Sequence, residues 1–209
     1  TVYNEPIQQP AEPENVDVDG ILKGMYKLKA ANTEGWTHEA PRAQLLGSGV
    51  GLPWALEAQQ LLADDWGVAA DVWSVTSWNE LRRDGLAADE QEFLHPDGEK
   101  RVPWVTQCLE GTEGPVVGVS DYMRAVQDQI REWVPGTYAT LGADGFGFSD
   151  TRPAARRFFH IDGPSVAVRT LQLLAREGKV PADVPAKAAA KYRLDDVTAG
   201  TSGNAGGES

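Results

Sequence analysis

Apolar side chains along this chain fall into short blocks that alternate between two periods. Val72-Trp73-Ser74-Val75-Thr76, Pro115-Val116-Val117-Gly118-Val119 and Thr137-Tyr138-Ala139-Thr140-Leu141 are brief, β-branched and aromatic runs of the kind that form buried strands. Ala43-Gln44-Leu45-Leu46 is a fourth, and Ile21, Met25, Tyr26 and Leu28 alternate well enough to predict a strand over Gly20 to Ala31. Between them the spacing changes to that of helices. Ala55, Ala58, Leu61 and Leu62 share one face, with Pro53 suited to a first turn and Gly67 to a stop. A short helix is expected around Glu80 to Arg83, followed by a polar excursion to Arg101 that contains His95-Pro96-Asp97-Gly98. A helical turn follows over Val102 to Leu109. Ser120 or Asp121 can cap a helix that aligns Met123, Val126, Ile130 and Trp133. Three more helices are expected over Arg152 to His160, Ser165 to Glu177 and Pro181 to Leu194.

Strands and helices that alternate in this way predict an α/β domain of three layers, built on a mostly parallel sheet of about five strands. The strand at Gly20 to Ala31 is expected to lie antiparallel at one edge. Residues 1–19 are rich in Pro, Glu, Gln and Asp and read as a connector cut from something larger, residues 20–196 as the folded domain, and residues 197–209 as a disordered, Gly/Ser-rich tail.

Charge narrows the partners. With 31 acidic residues against 19 basic ones, the formal net charge is -12, which opposes nucleic-acid binding unless a local basic patch intervenes. The densest basic cluster, Arg152, Arg156 and Arg157, is too small for that. The one cysteine, Cys108, rules out an internal disulfide and a multi-cysteine metal site, and suits a reducing, cytoplasmic setting. No apolar run approaches the roughly 20 residues a membrane-spanning helix needs.

Candidate chemistry centres on Gly142-Ala143-Asp144-Gly145-Phe146-Gly147-Phe148-Ser149-Asp150, where the last strand passes into a helix. Strand C-termini are where ligands and partner domains dock in open α/β sheets, and Gly142, Gly145 and Gly147 permit close approach or positive φ. Asp144 is placed to orient backbone amides there, with Phe146 and Ser149 completing the turn, and a tight turn without chemistry fits equally well. Gly47-Ser48-Gly49-Val50-Gly51 imitates a dinucleotide-binding loop, but the spacing is wrong, since Leu52 stands where a third glycine belongs. Asp71, about 20 residues on, is expected before a strand rather than at its end. His38, His95 and His160 lack metal-ligand spacing, and His160 is expected at a helix end beside Phe158 and Phe159. No G-x-S-x-G elbow or P-loop is present, and the seven tryptophans are read as core and interface anchors. By themselves the residues stop short of a reaction, leaving a nucleotide-binding module and a protein-interaction module open.

Between Gly20 and Gly178, several motifs resemble the C-terminal, transketolase-like domain of the homodimeric pyruvate dehydrogenase family. They are Gln44-Leu45-Leu46-Gly47-Ser48-Gly49, Asp71-Val72-Trp73-Ser74-Val75-Thr76-Ser77, Leu94-His95-Pro96, Arg101-Val102-Pro103, Ser120-Asp121-Tyr122-Met123 and Leu141-Gly142-Ala143-Asp144-Gly145-Phe146-Gly147. The resemblance implies that Thr1 to Pro10 close a preceding pyrimidine-binding domain. It also implies a homodimer that uses thiamine diphosphate and magnesium to decarboxylate pyruvate, the product of glycolysis, and passes the acetyl group to the lipoyl group of a dihydrolipoyl acetyltransferase. In that family the cofactor lies between two other domains. The resemblance accordingly assigns no catalytic, cofactor-binding or metal-binding residue to this chain: the family's Gly-Asp-Gly…Asn signature has only Ala143-Asp144-Gly145 as an imitation, with no asparagine until Asn204.

Overall fold

The computed structural model describes residues 16–36 and 39–200. Residues 1–15 and 201–209, with the connector expected at the start and most of the expected tail, lie outside them. The first element is not the start of a strand. Helix α1 (Val18–Lys23) begins where the Asp17 carboxylate accepts the Gly20 amide at 2.8 Å and ends at Gly24, which takes the left-handed conformation with φ 108°. Those two caps override the alternation of Ile21 with Met25, and the strand, β1, is only Met25–Lys29.

The remaining elements are β2 (Arg42–Gly47), α2 (Gly51–Trp66), β3 (Ala69–Val75), α3 (Trp78–Leu94), α4 (Trp104–Leu109), β4 (Val116–Val119), α5 (Arg124–Asp128), β5 (Tyr138–Leu141), α6 (Arg152–Phe158), α7 (Gly163–Arg176) and α8 (Val184–Lys191). The five strands form one sheet in the order β1-β3-β2-β4-β5. Pairs β2/β3, β2/β4 and β4/β5 are parallel, and β1 runs antiparallel at the edge. A mostly parallel sheet with one antiparallel edge strand is what the alternation predicts.

Neighbouring strand residues serve opposite cores. Leu45, Val72, Val117 and Val119 pack beneath α2, α7 and α8, whereas Leu46, Trp73, Val75 and Val116 meet Leu81, Val105, Leu109 and Ile130 on the other face. Every residue of β3 is buried, because helices cover both faces of the sheet. This is the three-layer arrangement.

Two helices differ from expectation. The short helix at Glu80 to Arg83 is part of the 17-residue α3, started by the Ser77 hydroxyl accepting the Glu80 amide at 3.2 Å. Only Trp78, Leu81, Gly85 and Ala88 of α3 are buried, so its apolar stripe is narrow and its outer face reads as a loop. Conversely, the long helix expected over residues 121–133 breaks up. Neither Ser120 nor Asp121 caps it: Ser120 Oγ accepts from the Tyr122 amide at 3.1 Å and from Gln127 Nε2 at 2.9 Å, and α5 is five residues followed by a 3-10 turn, Arg131–Trp133.

Arg157 is the largest of the fully buried side chains. Its Nε donates to Asp162 Oδ2 at 2.7 Å, and its Nη1 donates to the Tyr192 and Arg193 carbonyls at 2.8 and 2.9 Å. Asp162 also caps α7 through the Ser165 amide at 3.0 Å. One ion pair therefore fixes α6, the start of α7 and the end of α8 together, and a member of the expected basic cluster is an internal pin. Thr151 occupies the N-cap position of α6, but its side chain makes no capping hydrogen bond. Past α8 the chain makes a further 3-10 turn, Val197–Ala199, capped by Asp196, and Gly200 lies directly against the Pro153 carbonyl. The chain is thus regular to residue 199 rather than irregular from residue 197.

At the sheet edge, Asp71 in β3 accepts from Lys27 Nζ at 2.8 Å and from the Ala31 amide at 2.9 Å. Burial opposes its ionisation, but the Lys27 and Ala31 hydrogen bonds and the Lys27 and Arg42 charges outweigh it and hold the carboxyl below its ordinary range. The folded protein therefore ionises Asp71 at lower pH than the unfolded chain does. Its stabilising contribution is complete above pH ~4 and is lost as pH falls through the folded value. Asp71→Asn is expected to flatten the acid limb of a urea-stability profile below pH ~4; an unchanged limb would contradict the assignment.

Arg157→Met should remove about 3–5 kcal/mol of stability in urea denaturation, since it leaves Asp162 charged and unpaired inside. Lys187→Met, which breaks the exposed pair with Asp183 at 2.6 Å, should cost less than about 1 kcal/mol. Equal losses would show that the Arg157 pair does not pin the helices.

Candidate functional site

The parallel strands end together on one edge, and the order of the sheet reverses there between β2 and β4, where ligands bind in doubly wound folds. Gly47 to Gly51 leave β2 at this point. A side chain on Gly51 would stand 2.5 Å from the Val119 carbonyl oxygen, and one on Gly47 would stand 2.8 Å from Leu52 Cα. Three of the amides around the loop are already used: Ser48 N donates to Val119 O at 3.3 Å, Gly51 N to Ser48 O at 2.9 Å and Leu52 N to Gly49 O at 3.2 Å. Ser48 Oγ accepts from Trp78 Nε1 at 2.9 Å. The glycines let α2 approach β4. Asp71, expected before a strand, lies inside β3 and is engaged with Lys27 and Arg42, away from a ribose position. The dinucleotide reading has no geometry behind it.

The second candidate, the turn after β5, is held to the start of α5. Ala143 N donates to Tyr122 O at 2.9 Å, and Gly142 lies so close to that carbonyl that a Cβ would collide with it. Asp144 Oδ1 accepts the Arg124 amide at 2.9 Å and Oδ2 accepts Arg124 Nε at 2.6 Å. The Arg124 bonds and charge hold the Asp144 carboxyl below its ordinary range. Asp144 in turn holds the Arg124 backbone amide. Gly145 has φ 93°, Gly147 stands in open space, Phe146 is 98% exposed and Ser149 is exposed. Phe148 stacks on Phe158 with centroids 4.3 Å apart.

Beneath this turn lies a cavity of about 360 Å³, bounded by Arg124, Asp144, Phe158, Phe159, His160 and Arg169. His160 follows the end of α6 with φ 55°, and its Nδ1 lies 2.8 Å from the Arg157 carbonyl. Burial, then the charges of Arg176 and Arg124, pull the Arg169 pKa down. Motif reading found Asp144 and the aromatics but missed Arg124 and Arg169. The available signal was an arginine at position 169 in a helix whose residues 163–168 and 170–171 are all buried.

The other candidates do not converge. His38 lies outside the described residues, and His95 ends α3 in an exposed position. Burial pushes the Cys108 thiol up to about 12. Indole N–H groups of Trp66, Trp73, Trp78, Trp104 and Trp133 are bonded to internal partners, which fits anchors rather than a cage. Among the described residues no group of three or more His, Cys, Asp or Glu side chains is arranged to hold a metal ion, and no helix is long and apolar enough to cross a membrane. Thiamine diphosphate with magnesium does not fit the residues present, because Asp144 is committed to Arg124 and the first glycine loop is filled by β4.

Residues 24–162 match the family model for the transketolase-like TK C-terminal domain. The pyruvate dehydrogenase E1 component of Mycolicibacterium smegmatis is 59% identical over 199 residues, 95% of this chain and 21% of that protein. That of Mycobacterium tuberculosis is 58% identical with the same coverage, and that of Escherichia coli K12 is 42% identical over 93% of this chain and 21% of its own length. The chain thus spans about a fifth of the curated relatives it matches. Among solved structures, transketolase from Pichia stipitis with sedoheptulose-7-phosphate superposes with TM-score 0.54 at 17% identity, over 82% of this chain and 21% of that one. Transketolase from Leishmania mexicana gives 0.51 at 18% identity, over 80% and 21%. These two show the fold.

The two glycine turns predict opposite responses. Gly51→Ala must push the Val119 carbonyl away and should cost about 1–3 kcal/mol in thermal or urea unfolding, whereas Gly147→Ala, in open space, should stay within about 0.5 kcal/mol of the parent. A neutral Gly51→Ala would mean that the loop has room for a ligand.

Proposed function

The chain belongs to the transketolase-like C-terminal domain family, and from that premise we propose that its 209 residues are the C-terminal part of a pyruvate dehydrogenase E1 component of the homodimeric type. The observation that carries the reading is the identity to such components along nearly the whole chain. The intact enzyme decarboxylates pyruvate and transfers the acetyl group to the lipoyl group of the dihydrolipoyl acetyltransferase component. Thiamine diphosphate and magnesium supply the carbanion-stabilising chemistry and are held by residues other than these. The single cysteine suits work in the cytoplasm.

The part described here acts as a support. Its sheet edge is closed by its own backbone at the switch point. Tyr122 and Met123 are exposed on the segment that binds Gly142 to Asp144, and Phe146 is exposed on that turn itself. Apolar groups gathered on one edge fit contact with the rest of the enzyme or with its second subunit. In the intact enzyme that contact contributes to the homodimer.

Purified by itself, the 209-residue chain is expected to fold and to release no carbon dioxide from pyruvate with thiamine diphosphate and magnesium present. In the intact enzyme, Met123→Glu with Phe146→Glu should raise the dimer dissociation constant measured by sedimentation. Turnover by the isolated chain, or an unchanged dimer, would overturn the supporting role.

A further inference from the structure

We propose that the cavity between the ends of β5 and α6 and the middle of α7 binds a small organic phosphate, with Arg169, Arg124 and His160 around the phosphoryl group and Phe158 and Phe159 against the organic part. The inference concerns this chain's own residues and does not depend on the pyruvate dehydrogenase reading.

Charge is the first argument. The cavity gathers two guanidinium groups against one carboxylate, in a chain whose formal net charge is -12. Arg124 and Asp144 compensate one another, bonded through both the amide and Nε, so the uncompensated charge is that of Arg169 and Arg124 offers its remaining N–H groups. Arg169 is half-buried and donates to the neutral Gln172 Oε1 at 3.2 Å, and among the described residues no carboxylate lies within ion-pair distance of it. A half-buried guanidinium without a counter-ion is costly, and a bound phosphate would supply what is missing with the geometry that arginine pairs best. The downward pull on Arg169 from lost water, Arg176 and Arg124 has the same origin.

Geometry supplies the second argument. His160 sits at φ 55°, a conformation that favours glycine or asparagine at a helix end, yet a histidine stands there. A carbonyl only accepts, so the Nδ1 that stands 2.8 Å from the Arg157 carbonyl carries the proton, and Nε2 of the neutral ring is left to accept from a hydroxyl of the phosphoryl group. The Phe158 and Phe159 rings meet edge to face at 5.1 Å and 84°, and Phe148 backs Phe158, so the wall is an ordered aromatic surface. A volume of about 360 Å³ holds a phosphate with a ring or short chain attached. Position is the third argument. The cavity lies at the C-terminal edge of the sheet, and the turn over it is anchored by Asp144 rather than by the ligand.

Calorimetry with phenyl phosphate, inorganic phosphate and benzyl alcohol tests this, using the 209-residue chain and the intact enzyme. Phenyl phosphate should bind to both at one site per chain, more tightly than inorganic phosphate, and benzyl alcohol should give no saturable signal. Arg169→Met should weaken phenyl phosphate by about tenfold or more, and Arg169→Lys by less, because charge is kept and the fork is lost. Phe158→Ala should weaken phenyl phosphate and leave inorganic phosphate unchanged. Arg82→Met, at an exposed position on α3, should change neither. Circular dichroism identifies any variant that fails to fold, and the His160 ring resonances of the parent, shifted on titration with phenyl phosphate, report the site without a substitution at all. The proposal is overturned if phenyl phosphate gives no saturable signal and leaves those resonances in place, if folded Arg169→Met binds as the parent does, or if binding to the isolated chain is lost in the intact enzyme because other parts of it cover the cavity.

Discussion

The first turn of α2 can lie against the end of β4 only because Gly51 carries no side chain. The Val119 carbonyl occupies the space a Cβ would take, 2.5 Å away, and accepts the Ser48 amide as well. That contact closes the sheet at the one place where a doubly wound fold ordinarily opens to a ligand. It also sets the height of α2 over β2 and β4, and with it the packing of Ala55, Ala58 and Leu62 against Leu45, Val72 and Val119. A motif that looks like a phosphate cradle is, in this molecule, a packing joint.

With that edge closed, the open space moves to β5. Arg157 and Asp162 tie α6 to the start of α7, and the gap beside the end of the outer strand is lined by both helices and by Arg124 with Asp144. Buried charge pairs add little net stability against apolar groups of the same shape, but they specify position closely. Here the specification has a consequence, because it gathers Arg124, His160 and Arg169 from three separate helices and helix ends around one volume. The closed joint and the open gap are thus two sides of a single arrangement: a three-layer slab in which exposed Tyr122, Met123 and Phe146 lie near Arg124 at the same edge.

Much of this was legible in the sequence. The strands at β2, β3, β4 and β5 are short runs dominated by apolar residues because both faces of the sheet are covered, and such runs are easy to recognise. Helices were harder where burial was slight. The α3 stripe of Trp78, Leu81, Gly85 and Ala88 is one residue wide, and its polar outside hid a 17-residue helix. At α1, local capping by Asp17 and Gly24 won over alternation. At α5, Ser120 spends its hydroxyl on Tyr122 and Gln127, and the helix expected from the shared face of Val126 and Ile130 shrinks to a turn and a half. The turn at Gly142 to Ser149 was recognisable from its glycines, and Asp144 had the role of orienting an amide. Its partner Arg124 was not legible, because ion pairs 20 residues apart leave no periodic trace. Arg169 was hidden by the apolar helix that carries it, and Arg157 was counted in the densest basic cluster although its side chain is 1% exposed.

The central claim is that this domain supports a reaction whose cofactor is held elsewhere. Equilibrium dialysis of the folded 209-residue chain against thiamine diphosphate and magnesium tests it most directly. The account predicts no retention above that of a buffer blank; saturable retention of one thiamine diphosphate per chain would contradict it.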